Sequence, residues 1–67
     1  MKIEIEREAD GRFIAEVPEL PGVLVYGATE AEARGKAIIL ALRVIADRLE
    51  AGEAVPFDQD AFFAAAE

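Results

Sequence analysis

The sequence predicts a small α+β domain in the order β-β-β-α-β: a three-stranded antiparallel meander plus a short fourth strand, with one long helix on one face. Three observations carry this. Within Lys2–Glu8, KIEIERE, charged and apolar residues alternate from Lys2 to Glu6 and Arg7 takes the next inward position, which is the period of a half-buried strand. Turn residues at Asp10-Gly11 and over Pro18–Gly22, PELPG, then punctuate two further apolar runs. Finally, the stretch from Glu30 to Ala51 contains no proline, begins after Thr29 and stops at Gly52. At 67 residues the chain allows one domain, 1–67, with 58–67 as a short C-terminal helix or tail.

In the first strand Ile3, Ile5 and Arg7 share one face, and Lys2, Glu4, Glu6 and Glu8 the other. In the second, Phe13, Ala15 and Val17 share a face. A two-residue turn at Asp10-Gly11 would pair Ile5 with Glu16 and mix the faces. A three-residue loop with Gly11 left-handed pairs Glu8 with Arg12 and sets Ile5 opposite Ala15. A one-residue slip flips every side chain, so the apolar pattern selects the longer loop. Pro18 ends the second strand, because proline has no N–H for the ladder. Pro18, Pro21 and Gly22 make PELPG a rigid crossover. The third strand, Val23–Gly27, is apolar on both faces, as a buried strand or an edge that meets another chain would be.

Thr29 with Glu32 forms a capping box, and Gly52 supplies the C-terminal stop. At 100° per residue, Ile38, Leu42, Ile45 and Leu49 form one stripe, with Ala31 and Ala41 beside it. This stripe is expected on the sheet. A second stripe, Ala33, Ala37, Leu40, Val44 and Ala51, lies nearly opposite. A helix apolar on two sides is buried on two sides. Gly35 costs up to about 1 kcal/mol against Ala in a helix interior and is expected to mark a close approach of helix to sheet. After Gly52, Ala54–Val55 offers a short fourth strand ended by Pro56, and Asp58 can cap a short helix through Phe62 and Phe63.

Composition excludes much chemistry. The chain has no Cys, His, Ser, Asn or Trp, which removes disulfides, thiol chemistry, Ser-His nucleophiles and His-metal sites. No catalytic residue, metal ligand or cofactor-binding residue is expected. The net charge of −7 repels phosphate backbones and attracts a basic protein. The longest uncharged apolar run, Ala37–Leu42, is too short to span a bilayer. No leader is expected from MKIEIERE, and a cytoplasmic location follows as the default. Five Arg against two Lys, with one Gln and no Asn, is a bias of thermophilic chains, and a GC-rich genome gives the same Arg excess. A chain this short buries only about 60% of the surface it exposes when unfolded, so a partner chain is expected to complete its core.

The ordered series of an alternating charged strand, Asp10-Gly11, Arg12-Phe13-Ile14-Ala15, PELPG, a strand ending in Gly27, Thr29-Glu30-Ala31-Glu32-Ala33 opening an apolar helix, and Gly52–Pro56 resembles the HicB-like antitoxin family over roughly residues 2–57. The resemblance implies a truncated RNase H-like fold. It implies pairing with a small basic HicA-type mRNA interferase, whose active site the antitoxin covers, and assembly into dimers or higher oligomers. Many relatives carry a C-terminal DNA-binding segment. Only ten residues follow Phe57, so direct operator binding is not expected. The alternative is an orphan oligomeric module of the same fold that binds another protein or a small ligand.

The RNase H likeness raises a two-metal nuclease reading through Glu4, Glu6, Asp10 and Glu16. Such sites need carboxylates converging on ions about 4 Å apart, whereas these alternate with Lys2 and Arg12 as any solvated strand face does. PELPG reads as structural, as do Gly11, Thr29 and Gly52. Leu24 and Tyr26 are interface candidates on the third strand. Leu40 and Val44 are candidates for an oligomer contact, unless the Phe62–Phe63 helix folds back over them.

Overall fold

The computed structural model describes residues 1–63; residues 64–67, the end of the expected C-terminal tail, lie outside the described residues. Three strands, β1 (Glu4–Arg7), β2 (Phe13–Glu16) and β3 (Leu24–Gly27), are followed by α1 (Glu30–Glu50) and a short α2 (Gln59–Phe62). The strands form an antiparallel sheet in the order β1-β2-β3.

The β1–β2 hairpin has the three-residue loop. Glu8 N–H donates to Arg12 O at 2.7 Å and Gly11 N–H to Glu8 O at 3.0 Å. Gly11 takes φ +91°, which a Cβ would oppose. Ile5 therefore faces Ala15, and Arg7 faces Phe13. Between β2 and β3, Val17 N–H donates to Val23 O at 3.1 Å, and Leu20 N–H and Val23 N–H close the PELPG turn onto Val17 O and Leu20 O. This turn drives Leu20 fully into the interior. Proline rigidity thus delivers a core residue from a loop.

Thr29 caps α1: its Oγ1 accepts from Glu32 N–H at 3.0 Å. Glu32 reaches back, accepting from Ala28 N–H at 3.3 Å, and also pairs with Lys36 Nζ at 3.0 Å. At the other end Gly52 N–H donates to Leu49 O and Glu53 N–H to Arg48 O, the two bonds of a Schellman motif.

The helix faces the sheet between the two stripes: Ala41 and Ile45 of the expected stripe are buried together with Ala33 and Ala37 of the second. Leu40 and Val44 pack, half-buried, against the core. Leu42 is 60% exposed and Leu49 39%. Side-chain size decides this. A Cβ on Gly27 would lie 2.5 Å from Ala33 N, so α1 starts nearly in backbone contact with the end of β3. Only small residues fit at that separation. Gly35 is not the close-approach glycine: nothing would meet its Cβ within 4 Å. That role belongs to Gly27.

The fourth strand is also corrected. Among the described residues the sheet has three strands, and Ala54–Val55 is irregular. Val55 and Phe57 instead pack against the cluster of Val17, Leu20, Val23, Ala41 and Ile45. Pro56 between them has no N–H to give a ladder. Asp58 caps α2 as expected, its Oδ1 accepting from Asp60 N–H and Ala61 N–H.

The two glycines give opposite expectations. Gly27→Ala forces the backbones apart, an overpacking cost of about 1–3 kcal/mol. Gly35→Ala gains up to about 1 kcal/mol of helix propensity. In a domain of this size 1 kcal/mol moves Tm by about 4–8 °C, so thermal melts should fall for the first variant and rise for the second. Glu32 supplies a pH signature. Its hydrogen bond from Lys36, then that from Ala28 N–H, holds its carboxyl below the ordinary 4.5. A lowered folded-state value stabilises above 4.5, and the gain is lost as pH falls through that lowered value. The Tm gap between wild type and Glu32→Gln should therefore be wider at pH 7 than at pH 3.

Candidate functional site

Strand alternation places Glu4, Glu6, Ile14, Glu16, Leu24 and Tyr26 together on the sheet face away from α1. The registers bring Glu4 opposite Glu16, Glu6 opposite Ile14, Ile14 opposite Tyr26 and Glu16 opposite Leu24. Leu24 is 46% exposed and Tyr26 40%, and Ile14 is half-buried between them. The centre of this face is apolar and its β1 side is acidic.

The Arg12 side chain on this face is already engaged. Arg12 Nε lies 2.8 Å from Asp10 Oδ2, and its guanidinium stacks 4.5 Å from the Tyr26 ring centroid. Hydrogen bonds from Arg12, first from its backbone N–H and then from its side chain, hold the Asp10 carboxyl below the ordinary carboxylate value. Among the described residues, no Lys or Arg comes within ion-pair distance of Glu4, Glu6, Glu8 or Glu16. These carboxylates and the Ile14–Leu24 floor line a depression of about 120 Å³. Small-molecule sites usually enclose about 300–1,000 Å³. This depression is smaller, and it sets carboxylates beside apolar side chains.

Of the expected interface residues, Leu24 and Tyr26 are brought together here. Leu40 and Val44 are remote from them, on the sheet side of α1. Gly11, Thr29 and Gly52 stand at the hairpin turn and the two helix ends, and Pro18, Pro21 and Gly22 lie exposed in the crossover. Ile14 and the Arg12–Tyr26 stack are additions. Ile14 had a signal in the sequence, as an apolar residue at a solvent-face position. The stack had none, because it joins residues of different strands.

Among the described residues no three acidic side chains converge as a metal-holding group, and no helix is long and apolar enough to cross a membrane. With no metal-holding group among the described residues, purified protein in magnesium or manganese should leave RNA and DNA intact on denaturing gels. Cleavage abolished by Glu4→Gln or Glu16→Gln would overturn the binding-face reading. Comparisons with protein-family models, curated proteins and solved structures find no match to this chain.

Proposed function

We propose that this chain is a HicB-like, non-enzymatic protein-binding domain of the cytoplasm. It would neutralise a small basic HicA-type mRNA interferase by laying the outer sheet face over the toxin's active site. The observation that supports this is the pairing of an exposed apolar floor, Leu24 and Tyr26, with Glu carboxylates that have no cation of their own. Unpaired carboxylates steer a basic partner and speed its encounter, while desolvated apolar anchors supply affinity. The same acidic face repels the toxin's RNA substrate. No cofactor enters this mechanism.

The second reading is an oligomeric module of the same fold with no toxin partner. The exposed Ile39, Leu42 and Leu49 of α1 favour it, because that apolar surface serves self-association whatever else the domain binds.

A neighbouring reading frame for a small basic protein with a lone catalytic His separates the two. Its purified product should cleave RNA, and this chain should suppress cleavage stoichiometrically. Glu6→Lys combined with Glu16→Lys should weaken inhibition by about 10–100-fold at physiological salt, since like charges then face the partner. Unchanged inhibition by the double variant would remove the outer face from the mechanism, and no inhibition by wild type would remove the antitoxin reading.

A further inference from the structure

The sheet has two open edges, and they differ. On β3, the bond from Val17 N–H to Val23 O sets the ladder phase, so Leu24 and Tyr26 turn their backbone groups outward. That edge is guarded: Lys36 Nζ occupies Tyr26 O at 3.3 Å, and an edge lysine discourages strand pairing. On β1, the bond from Glu8 N–H to Arg12 O directs Glu4 and Glu6 toward β2. The N–H and C=O groups of Ile3, Ile5 and Arg7 then point out of the sheet with no partner among the described residues.

Above this unguarded edge α1 presents an uncharged flank. Ile38, Leu42 and Ile45 line a groove of about 240 Å³ against Met1, Ile3 and Val17. It continues as a second hollow of about 250 Å³ between Leu42, Ala46 and Leu49 and the Phe57 and Phe63 side chains. Among the described residues, Arg34 carries the only charged side chain lining either hollow. An open edge under an apolar overhang is the place of one more strand, with alternate side chains turned up beneath the helix.

We propose that a second copy of this chain supplies that strand, its β1 pairing antiparallel with β1 across a two-fold axis at Glu4. Two three-stranded sheets then join into one of six strands, and the two α1 flanks meet above the seam. Charge complementarity between the copies and the length of the seam select the occupant and the register. With Glu4 opposite the partner copy's Glu4, Ile3 faces Ile5 and Lys2 faces Glu6, each contact made twice by symmetry. Only the Glu4 pair sets like charges together, on the solvent side. Moving the axis to Ile5 sets Glu4 against Glu6 twice, and moving it to Ile3 pairs Lys2 with Glu4 but shortens the seam from residues 1–7 to 1–5. The four isoleucines fall on the helix side, beneath Ile38 and Leu42. The seam uses neither Leu24 nor Tyr26, so this pairing stands apart from the toxin-binding reading.

The chain has no cysteine, so single cysteines report the seam. Glu4 and its mate would form a non-hydrogen-bonded antiparallel pair, with Cα atoms about 4.5 Å apart, within the disulfide range of about 4.4–6.8 Å. Glu4→Cys should oxidise to a covalent dimer at least tenfold faster than Glu53→Cys, at the exposed helix end. Sedimentation of wild type at about 50 µM should give the dimer mass. Leu42→Glu should give a monomer with an unchanged far-UV circular dichroism spectrum, because residue 42 is a surface position within one copy. Lys2→Glu should weaken the dimer by about tenfold, and adding Glu6→Lys should restore it. A monomeric wild type, a Glu4→Cys rate equal to the control, or a dimer unmoved by Leu42→Glu would each overturn the proposal. So would a wild type whose β1 amide resonances shift only on adding the peptide Lys-Val-Lys-Ile-Lys-Val, which would give the edge to a basic partner.

Discussion

A side chain at residue 27 would put its Cβ 2.5 Å from Ala33 N, so α1 can begin where it does only because Gly27 has none. Everything between sheet and helix follows from that approach. Thr29 must cap within two residues of the strand end, and the first helical turns must present alanine. Ala33 and Ala37 meet Ala15 in one thin cluster of fully buried residues. Farther along α1 the gap widens and larger residues fill it: Val17, Leu20 and Val23 from the sheet side, with Ala41 and Ile45 from the helix. The core is a wedge, closed at the Gly27 end and plugged at the other by Val55 and Phe57. Leu20, delivered by the crossover, and Val23 are its largest fully buried side chains.

A wedge of this kind has a small capacity. Four of its eight buried residues are alanine, and each contributes far less transfer free energy than the about 1.5–3 kcal/mol of a buried Leu or Ile. Larger apolar side chains are present but stand outside it, at Ile39, Leu42 and Leu49. They could not have been used inside without lifting the helix off Gly27. The close contact that organises the fold is thus also what leaves one flank of α1 apolar and in water, where association would bury it.

The strands were legible in the sequence because period two admits one answer once a face is buried. The hairpin loop, the Ile5–Ala15 register and the left-handed Gly11 all follow from it. The helix ends were legible from Thr29 and Gly52. The facing of α1 was not. Its apolar residues run nearly all round, and the size difference between an alanine stripe and a leucine stripe matters only when the separation from the sheet is known. That separation is set by Gly27, three residues before the helix, whereas Gly35 drew attention by lying inside it. The stretch Ala54-Val55-Pro56 was ambiguous for a related reason: two apolar residues before a proline fit a short strand or a plug, and only the open end of the core distinguishes them. On the outer face, Leu24 and Tyr26 were readable as surface candidates, whereas Leu40 and Val44 carried the wrong facing of the helix with them.

The alternation of β1 would keep the two proposed surfaces apart. Its even residues, Glu4 and Glu6, send their backbone groups to β2 and their side chains to the outer face. Its odd residues, Ile3, Ile5 and Arg7, send their backbone groups to the open edge and their side chains toward the helix. Charge on the outer face can therefore change at the even positions while the edge hydrogen bonds and the apolar contacts beneath α1 keep their donors and partners. A basic protein on the outer face and a strand along the edge would approach from perpendicular directions and touch alternate residues of the same short stretch. The alternation that first marks this stretch as a strand is the property that lets both surfaces coexist on it.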